Sequence, residues 1–328
     1  RNKQLTAAKA AKKDEFYTQL SDIESELQHY RSHFKDKIVY CNCDDPYVSA
    51  FFRYFTKNFE FLGLKKLITT CYRSQRIDLF SKNDTEKAIK LEYSGGALNS
   101  LPSPDDIGVT DLNGDGDFRS QECIDILKEA DIVVTNPPFS LFREYISQLF
   151  EYNKNFLIIG NQNAIIYKEI FRFIKDNKLW LGVDNGGKKW FQVPDDYDIQ
   201  TESRKKIENG IKYFSMGSIM WFTNLDHKKR HEEIILFKNY TAEEYPNYDN
   251  YNAIEVSKVS NIPVDYDGVM GVPITFLDKY NPEQFELIGC NRGVNQDANG
   301  VYGKGSYLNG KETFKRLFIR NRNPKKRK

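Results

Sequence analysis

Between residues 37 and 182 the chain repeats one pattern: a short apolar run that stops at turn residues, then a longer stretch with apolar side chains every three or four positions. The runs are Lys37-Ile-Val-Tyr-Cys-Asn42, Lys65-Lys-Leu-Ile-Thr-Thr-Cys71, Asp131-Ile-Val-Val-Thr-Asn136, Asn155-Phe-Leu-Ile-Ile-Gly-Asn161 and Lys178-Leu-Trp-Leu-Gly182. All are rich in β-branched or aromatic residues, as buried strands are. The intervening stretches carry apolar residues at 48, 51, 52, 55 and 59, at 123, 124, 126 and 127, and at 141, 142, 145, 146, 149 and 150. That is the spacing of one helix face. Strands apolar on both faces, alternating with amphipathic helices, predict an α/β fold with a mostly parallel central sheet covered on both sides. Such a sheet gathers ligands beyond the carboxyl ends of its strands, so the chemistry is sought there.

A further strand is predicted at Ser218-Ile-Met-Trp-Phe-Thr-Asn-Leu225, after which the texture changes. Residues 239–310 are rich in Tyr, Asn, Asp, Gly and Pro, and a domain change is placed near 226–240. Apolar Phe314, Leu317 and Ile319, set among basic residues, predict one more β segment over 312–322. With 328 residues the chain is long for one domain and short for three; 40% hydrophobic residues suffice for a core. No apolar run approaches the ~18 residues that span a bilayer, and no apolar segment follows a basic start, so neither a membrane protein nor a secreted precursor is expected. Five cysteines are too sparse and irregular for a disulfide framework. A cytosolic protein is the expectation.

The net charge of +2 is unevenly spread. Residues 1–13 carry +5 and residues 304–328 carry +9, which leaves −12 on 14–303. Basic ends on an acidic body suit a polyanion, because each Lys or Arg beside a phosphate releases condensed counterions. Arg316, Arg320, Arg322 and Lys325 are the candidate phosphate contacts, and 1–13 reads as a disordered basic tail.

The sharpest motif is Asn136-Pro137-Pro138-Phe139, directly after a predicted strand and before a predicted helix. Two prolines fix φ and remove two backbone donors, so the chain leaves the strand stiff and extended. That aims the Asn136 side-chain oxygen and the Pro137 carbonyl into the crevice at the strand end. Two neighbouring acceptors suit an exocyclic NH₂. Accepting both of its hydrogens makes the nitrogen more tetrahedral and frees its lone pair to attack an electrophilic methyl, while Phe139 stacks on the base, a contact worth ~1–3 kcal/mol.

Asp131-Ile-Val-Val-Thr-Asn-Pro-Pro-Phe139 resembles the catalytic motif of DNA adenine-N6 methyltransferases. Ser140-Leu-Phe-Arg-Glu-Tyr145, Asp14-Glu-Phe-Tyr-Thr-Gln19, Val39-Tyr-Cys-Asn-Cys-Asp-Asp-Pro46, Gly114-Asp-Gly-Asp-Phe-Arg-Ser120 and Asp267-Gly-Val-Met-Gly-Val-Pro-Ile-Thr-Phe-Leu277 are similar to the EcoRI-type modification methylases. The resemblance covers nearly the whole chain in consistent order. It implies a Rossmann-like methyltransferase fold, S-adenosylmethionine as cofactor, and transfer of a methyl group to N6 of an adenine swung out of duplex DNA. It also implies a short palindromic site such as GAATTC within a restriction-modification system. Residues 14–230 would form the catalytic domain and 231–328 the target-recognition region. A monomer would be adequate, and the oligomeric state stays open.

By the same resemblance Phe16, Tyr17 and Thr18 would lie near the methionine end of the cofactor and Asp44 would meet its amino group. Asp117 would accept from the cofactor's adenine amine while Phe118 packs on its face. Two departures stand out: Cys41-Asn-Cys-Asp-Asp-Pro46 replaces a Gly-rich loop, and no acid follows the second strand at Cys71-Tyr72-Arg73 to take the ribose. Asp44 and Asp45 could instead cap a helix.

Asp111-Leu-Asn-Gly-Asp-Gly-Asp-Phe-Arg-Ser-Gln-Glu122 also matches a calcium loop, but Ser100-Leu-Pro-Ser-Pro-Asp-Asp106 makes a poor preceding helix, and no metal site is expected. His29, His33, His227 and His231 are expected on exposed helix surface. The competing readings are a non-catalytic DNA-binding module with a degenerate cofactor site and a methyltransferase acting on RNA adenine or protein glutamine.

Overall fold

The computed structural model describes residues 16–72, 88–96, 101–193, 195, 197, 199–291 and 305–325. The predicted basic tail 1–13, Arg73 and residues 326–328 lie outside these. Packing divides the chain into two units, Arg1–Gln162 with Asp184–Leu225, and Asn163–Val183 with Asp226–Lys328. In this division residues 163–183 group with the C-terminal residues.

The first unit contains strands β1 (Tyr17–Thr18), β2 (Ile38–Asn42), β3 (Lys66–Cys71), β4 (Ile89–Tyr93), β5 (Val109–Asp111), β6 (Ile132–Thr135), β7 (Asn155–Asn161), β8 (Phe191–Gln192), β9 (Lys205–Glu208), β10 (Ile211–Phe214) and β11 (Ile219–Thr223). Its main helices are α1 (Leu20–Leu27), α2 (Ala50–Lys57), α3 (Phe59–Leu62), α4 (Gln121–Glu129) and α5 (Phe142–Glu151). Across the large sheet these strands run β5-β4-β3-β2-β6-β7-β11. The centre is parallel, with Val39 opposite Leu67 on one side and Ile132 on the other, and Val134 opposite Leu157. The flanks are antiparallel: β4 returns against β3, β5 against β4, and β11 against β7 with Trp221 opposite Ile159.

The sheet is thus mixed, where a mostly parallel one was expected. Every residue of β2, β6 and β11 is buried. Burial on both faces marks a strand as internal but carries no sign of its direction, and so β11 reads like its parallel neighbours. Lys178–Gly182 shrinks to the two-residue strand Trp180–Leu181.

Helix α2 is capped by Ser49, whose hydroxyl accepts from the amides of Phe51 and Phe52, and not by Asp44 or Asp45. Ser120 caps α4 by accepting from the Cys123 amide. Helix α5 turns Phe142, Tyr145, Ile146 and Leu149 inward. Phe142 meets Phe222 edge to face at 5.1 Å, directly over Gly160. A Cβ at Gly160 would lie 2.5 Å from the Phe142 ring, so the close approach of α5 to the sheet needs a glycine there. A second, smaller sheet runs β1-β8-β10-β9 and closes on the hairpin turn Asn209-Gly210, both residues at positive φ.

The second unit holds helix α6 (Lys168–Lys175) and a sheet of β12 (Ile254–Glu255), β13 (Met270–Pro273), β14 (Phe285–Cys290) and β15 (Arg316–Asn321), in the order β12-β13-β15-β14. Strand β15 is the segment predicted over 312–322; Leu317, Phe318 and Ile319 are buried, while Phe314 is exposed. Tyr248, Phe276 and Phe285 pack into this unit's core. His227 departs from expectation. It is buried, its Nε2 lies 2.8 Å from the Leu181 carbonyl oxygen, and burial pushes its pKa down. Among the described residues no helix is long and apolar enough to cross a membrane.

Candidate active site

The carboxyl ends of β2, β3 and β6 meet at one edge of the large sheet. The Thr135 hydroxyl, at the end of β6, donates to the Asn42 carbonyl at the end of β2. The Asp44 amide donates to the Thr70 carbonyl at 2.8 Å and ties the loop after β2 to β3. The loop 114–120 is fastened to the same edge. Gly116, at φ +74°, lies so close to the end of β3 that a Cβ would sit 2.4 Å from the Cys71 carbonyl oxygen.

Asn136 and Pro137 follow β6, and Pro138 opens a single 3-10 turn, Phe139–Leu141, that leads into α5. The Asn136 Nδ2 donates to the backbone carbonyl of Phe16. With the amide nitrogen anchored there, Oδ1 is left as an acceptor. No hydrogen bond among the described residues engages the Pro137 carbonyl. The Phe16 ring lies 6.1 Å from that of Phe139 at an interplanar angle of 29°, and meets Tyr197 edge-on at 5.4 Å and Phe214 at 6.0 Å. Asn136, Phe139 and Phe16 are therefore brought together although 120 residues separate Phe16 from Asn136 in the chain.

Asp44, in the loop after β2, is also buried and is held by a different set of groups. Its carboxyl accepts from the Ser49 hydroxyl. Burial pushes its pKa up to about 8; the Ser49 hydrogen bond opposes that rise and the charge of Asp45 adds to it. Behind it, the Tyr40 hydroxyl and Thr70 Oγ1 are 2.7 Å apart, and Thr70 donates to Asn42 Oδ1 at 3.2 Å. Among the described residues, Thr18 Oγ1 and the Tyr145 hydroxyl are buried with no hydrogen-bond partner. Burial also raises the thiols of Cys41 and Cys123.

Phe118 is buried and packs edge to face on Tyr145 at 4.9 Å, and its carbonyl accepts from Gln148 Nε2 at 3.0 Å. Asp117 is half-buried and paired with Arg119 at 2.7 Å. Strand β5 leads directly into the calcium-like loop; before it, in the segment expected to make a poor helix, Pro104–Ile107 forms a single helical turn capped by Ser103. The Glu122 carboxylate is turned back on the loop, accepting from the amides of Asn113 and Gly114 at 3.2 and 3.1 Å.

Residues 4–326 match the family described as "Adenine-specific methyltransferase EcoRI". The chain is 52% identical over 324 residues to the Type II methyltransferase M.EcoRI of Escherichia coli, covering 98% of this chain and 97% of that one. The chain belongs to the EcoRI family of adenine-specific methyltransferases. It is also 42% identical to Type II methyltransferase M.MgeORF184P of Mycoplasma genitalium, over 86% of this chain and 84% of that protein. Identity to Type II methyltransferase M.MpnI of Mycoplasma pneumoniae is 37%, over 96% and 97%. No solved structure matches the chain.

Within this methyltransferase, sequence reasoning missed Ser49, Arg119 and Tyr197. A Ser immediately before an apolar helical stretch is a cap signal that could have found Ser49; Arg119 lies within the family-like segment Gly114–Ser120, and nothing local marks Tyr197. The basic C-terminal candidates divide. Arg316 is held by Glu255, Nη2 to Oε1 at 2.7 Å, with side chains only 13% and 8% exposed, and the Tyr248 hydroxyl donates to the same carboxylate. Arg316 is thus the internal counter-charge of Glu255. Arg320, Arg322 and Lys325 are exposed. Arg320 makes a surface pair with Glu286 at 3.3 Å, and Arg322 donates through Nε to the Pro282 carbonyl at 2.8 Å.

Proposed function

We propose that this enzyme methylates N6 of an adenine turned out of duplex DNA, with S-adenosylmethionine as donor and Asn136–Phe139 as the motif that holds the base. The observation that carries the reading is the hydrogen bond from Asn136 Nδ2 to the Phe16 carbonyl, which commits the side-chain oxygen to accepting. Beside it the Pro137 carbonyl is the second acceptor, and Pro138 keeps the two in register. Asn136 Oδ1 and Pro137 O each take one N–H of the adenine amine, so its lone pair is withdrawn from the ring and directed outward; one of these protons is released to water on transfer. Phe139 gives the base a face to stack on. Preorganised acceptors of this kind act without reorganising during the reaction.

S-adenosylmethionine, when bound, would supply a methyl group made electrophilic by its sulfonium, with the neutral thioether as leaving group. The residues at the strand ends fit it. Asp44 offers a carboxyl for an ammonium group, Thr18 Oγ1 is buried with no partner among the described residues, and Asp117 offers an acceptor for an adenine amine. Tyr17 shares β1 with Thr18, and Phe118 supports the Asp117 loop from beneath. The exposed charges of Arg320, Arg322 and Lys325 suit DNA phosphates. The Type II names of the relatives support a role in restriction-modification, in the cytoplasm of a bacterium or of a phage host.

Asn136→Ala removes one acceptor and leaves the DNA-contacting surface intact. Methylation of a duplex substrate, read by base-resolved sequencing, is expected to fall by about 10²–10³ with DNA affinity little changed. If the variant keeps more than about a tenth of the parent rate, Asn136 does not hold the amine.

A further inference from the structure

Resting on the placement of the cofactor's adenine at Asp117, we infer that Arg119 is the positioning residue that leaves this carboxylate able to take one N–H donor, and so makes the site select a 6-amino over a 6-oxo purine on the cofactor. Arg119 grips Asp117 as a fork: Nε lies 2.9 Å from Oδ1 and Nη2 2.7 Å from Oδ2. The Arg119 backbone amide adds a third bond, to Oδ1 at 2.8 Å. A carboxylate has about four lone-pair sites, two on each oxygen. Two bonds saturate Oδ1 and one occupies Oδ2, so among the described residues a single acceptor position remains, on Oδ2.

The grip has its own anchor. Arg119 Nη1 bonds Glu144 Oε2 at 2.8 Å, which ties the fork to helix α5. The guanidinium carbon stands 5.3 Å from the centre of the Phe118 ring, so the group is steadied by the ring as well as by two carboxylates. The Asp117 carboxylate also stays ionised. Burial alone would raise its pKa, but the hydrogen bonds and charge of Arg119 outweigh burial and hold it below the usual carboxylate range. An ionised acceptor with one open site rewards an amine and repels the oxygen of a 6-oxo purine. A lysine would keep the charge at one point and lose the two-pronged hold.

Calorimetric binding of S-adenosylhomocysteine and of its 6-oxo counterpart, S-inosylhomocysteine, to the intact protein tests this without turnover. The parent is expected to prefer the adenosyl compound by roughly 10–100-fold, the value of one hydrogen bond to a charged group. Arg119→Gln and Arg119→Lys are both expected to lower that preference to under about fivefold, with both proteins shown folded by their thermal midpoints. A merely structural role would weaken the two ligands alike and leave their ratio untouched. If either variant keeps the parental ratio within about twofold, the inference fails. Asp117→Ala separates this from the reading beneath it: should that variant keep the preference, the cofactor's adenine does not lie at Asp117 at all.

Discussion

Asp44 is a carboxyl that the folded chain holds neutral at pH 7, because burial lifts its pKa from the ordinary 3.8 to about 8. The folded protein then binds a proton that the unfolded chain has lost throughout that window. Stability from this group is fully present below the unfolded value and declines as pH rises through it, the decline ending above about 8. Asp44→Asn preserves the shape and can still accept from Ser49, but does not titrate. Its thermal midpoint is expected to change less than the parent's between about pH 5 and pH 9, and parallel curves for the two proteins would contradict the assignment. Asn136 could be singled out from its motif at the end of an apolar run, and Asp44 from the resemblance to the family. The contacts that orient them could not. The Phe16 carbonyl and the Asp117–Arg119 fork acquire their meaning only when β1, the loop 114–120 and the sheet edge are assembled.

At the scale of elements, α5 shows how packing translates into position for Asn136. The helix starts three residues beyond Phe139 and is seated on the sheet by Phe142, whose ring lies over the bare backbone of Gly160. Gly160→Ala would drive a methyl group into that ring at 2.5 Å with Phe222 pressing from the sheet. Overpacking of this kind costs about 1–3 kcal/mol. The midpoint of urea unfolding should fall accordingly, and a variant as stable as the parent would show that α5 can shift at no cost. The inner strands and the helices α2, α4 and α5 were legible because each writes its burial into a period of its own. Strand direction was not legible, since β11 is as apolar as a parallel strand. Apart from β15, the sheet of the second unit was also hidden: β12 is two residues long, and β13 contains Gly271 and Pro273 among its four residues.

For the whole molecule the governing quantity is where the cations of an unevenly charged chain are spent. A sequence can count them but cannot tell a solvated charge from one already neutralised inside the fold. Arg316 and Arg320 sit four apart in the same basic segment, yet one faces a buried Glu255 and the other faces solvent. Replacing them should therefore produce opposite signatures. Arg316→Ala leaves the Glu255 carboxylate buried without its counter-charge, a loss of about 3–5 kcal/mol, and should depress the melting temperature. Its effect on the salt dependence of DNA binding should be slight, because it contributes no phosphate contact. Alanine at Arg320, Arg322 and Lys325 together should hardly change the melting temperature, since exposed pairs are worth about 0–1 kcal/mol. The slope of log K against log salt should instead flatten by about 0.9 for each phosphate contact removed. Titrations of a duplex at several salt concentrations measure that slope directly. A triple variant with the parental slope would move the DNA-binding surface away from the end of β15.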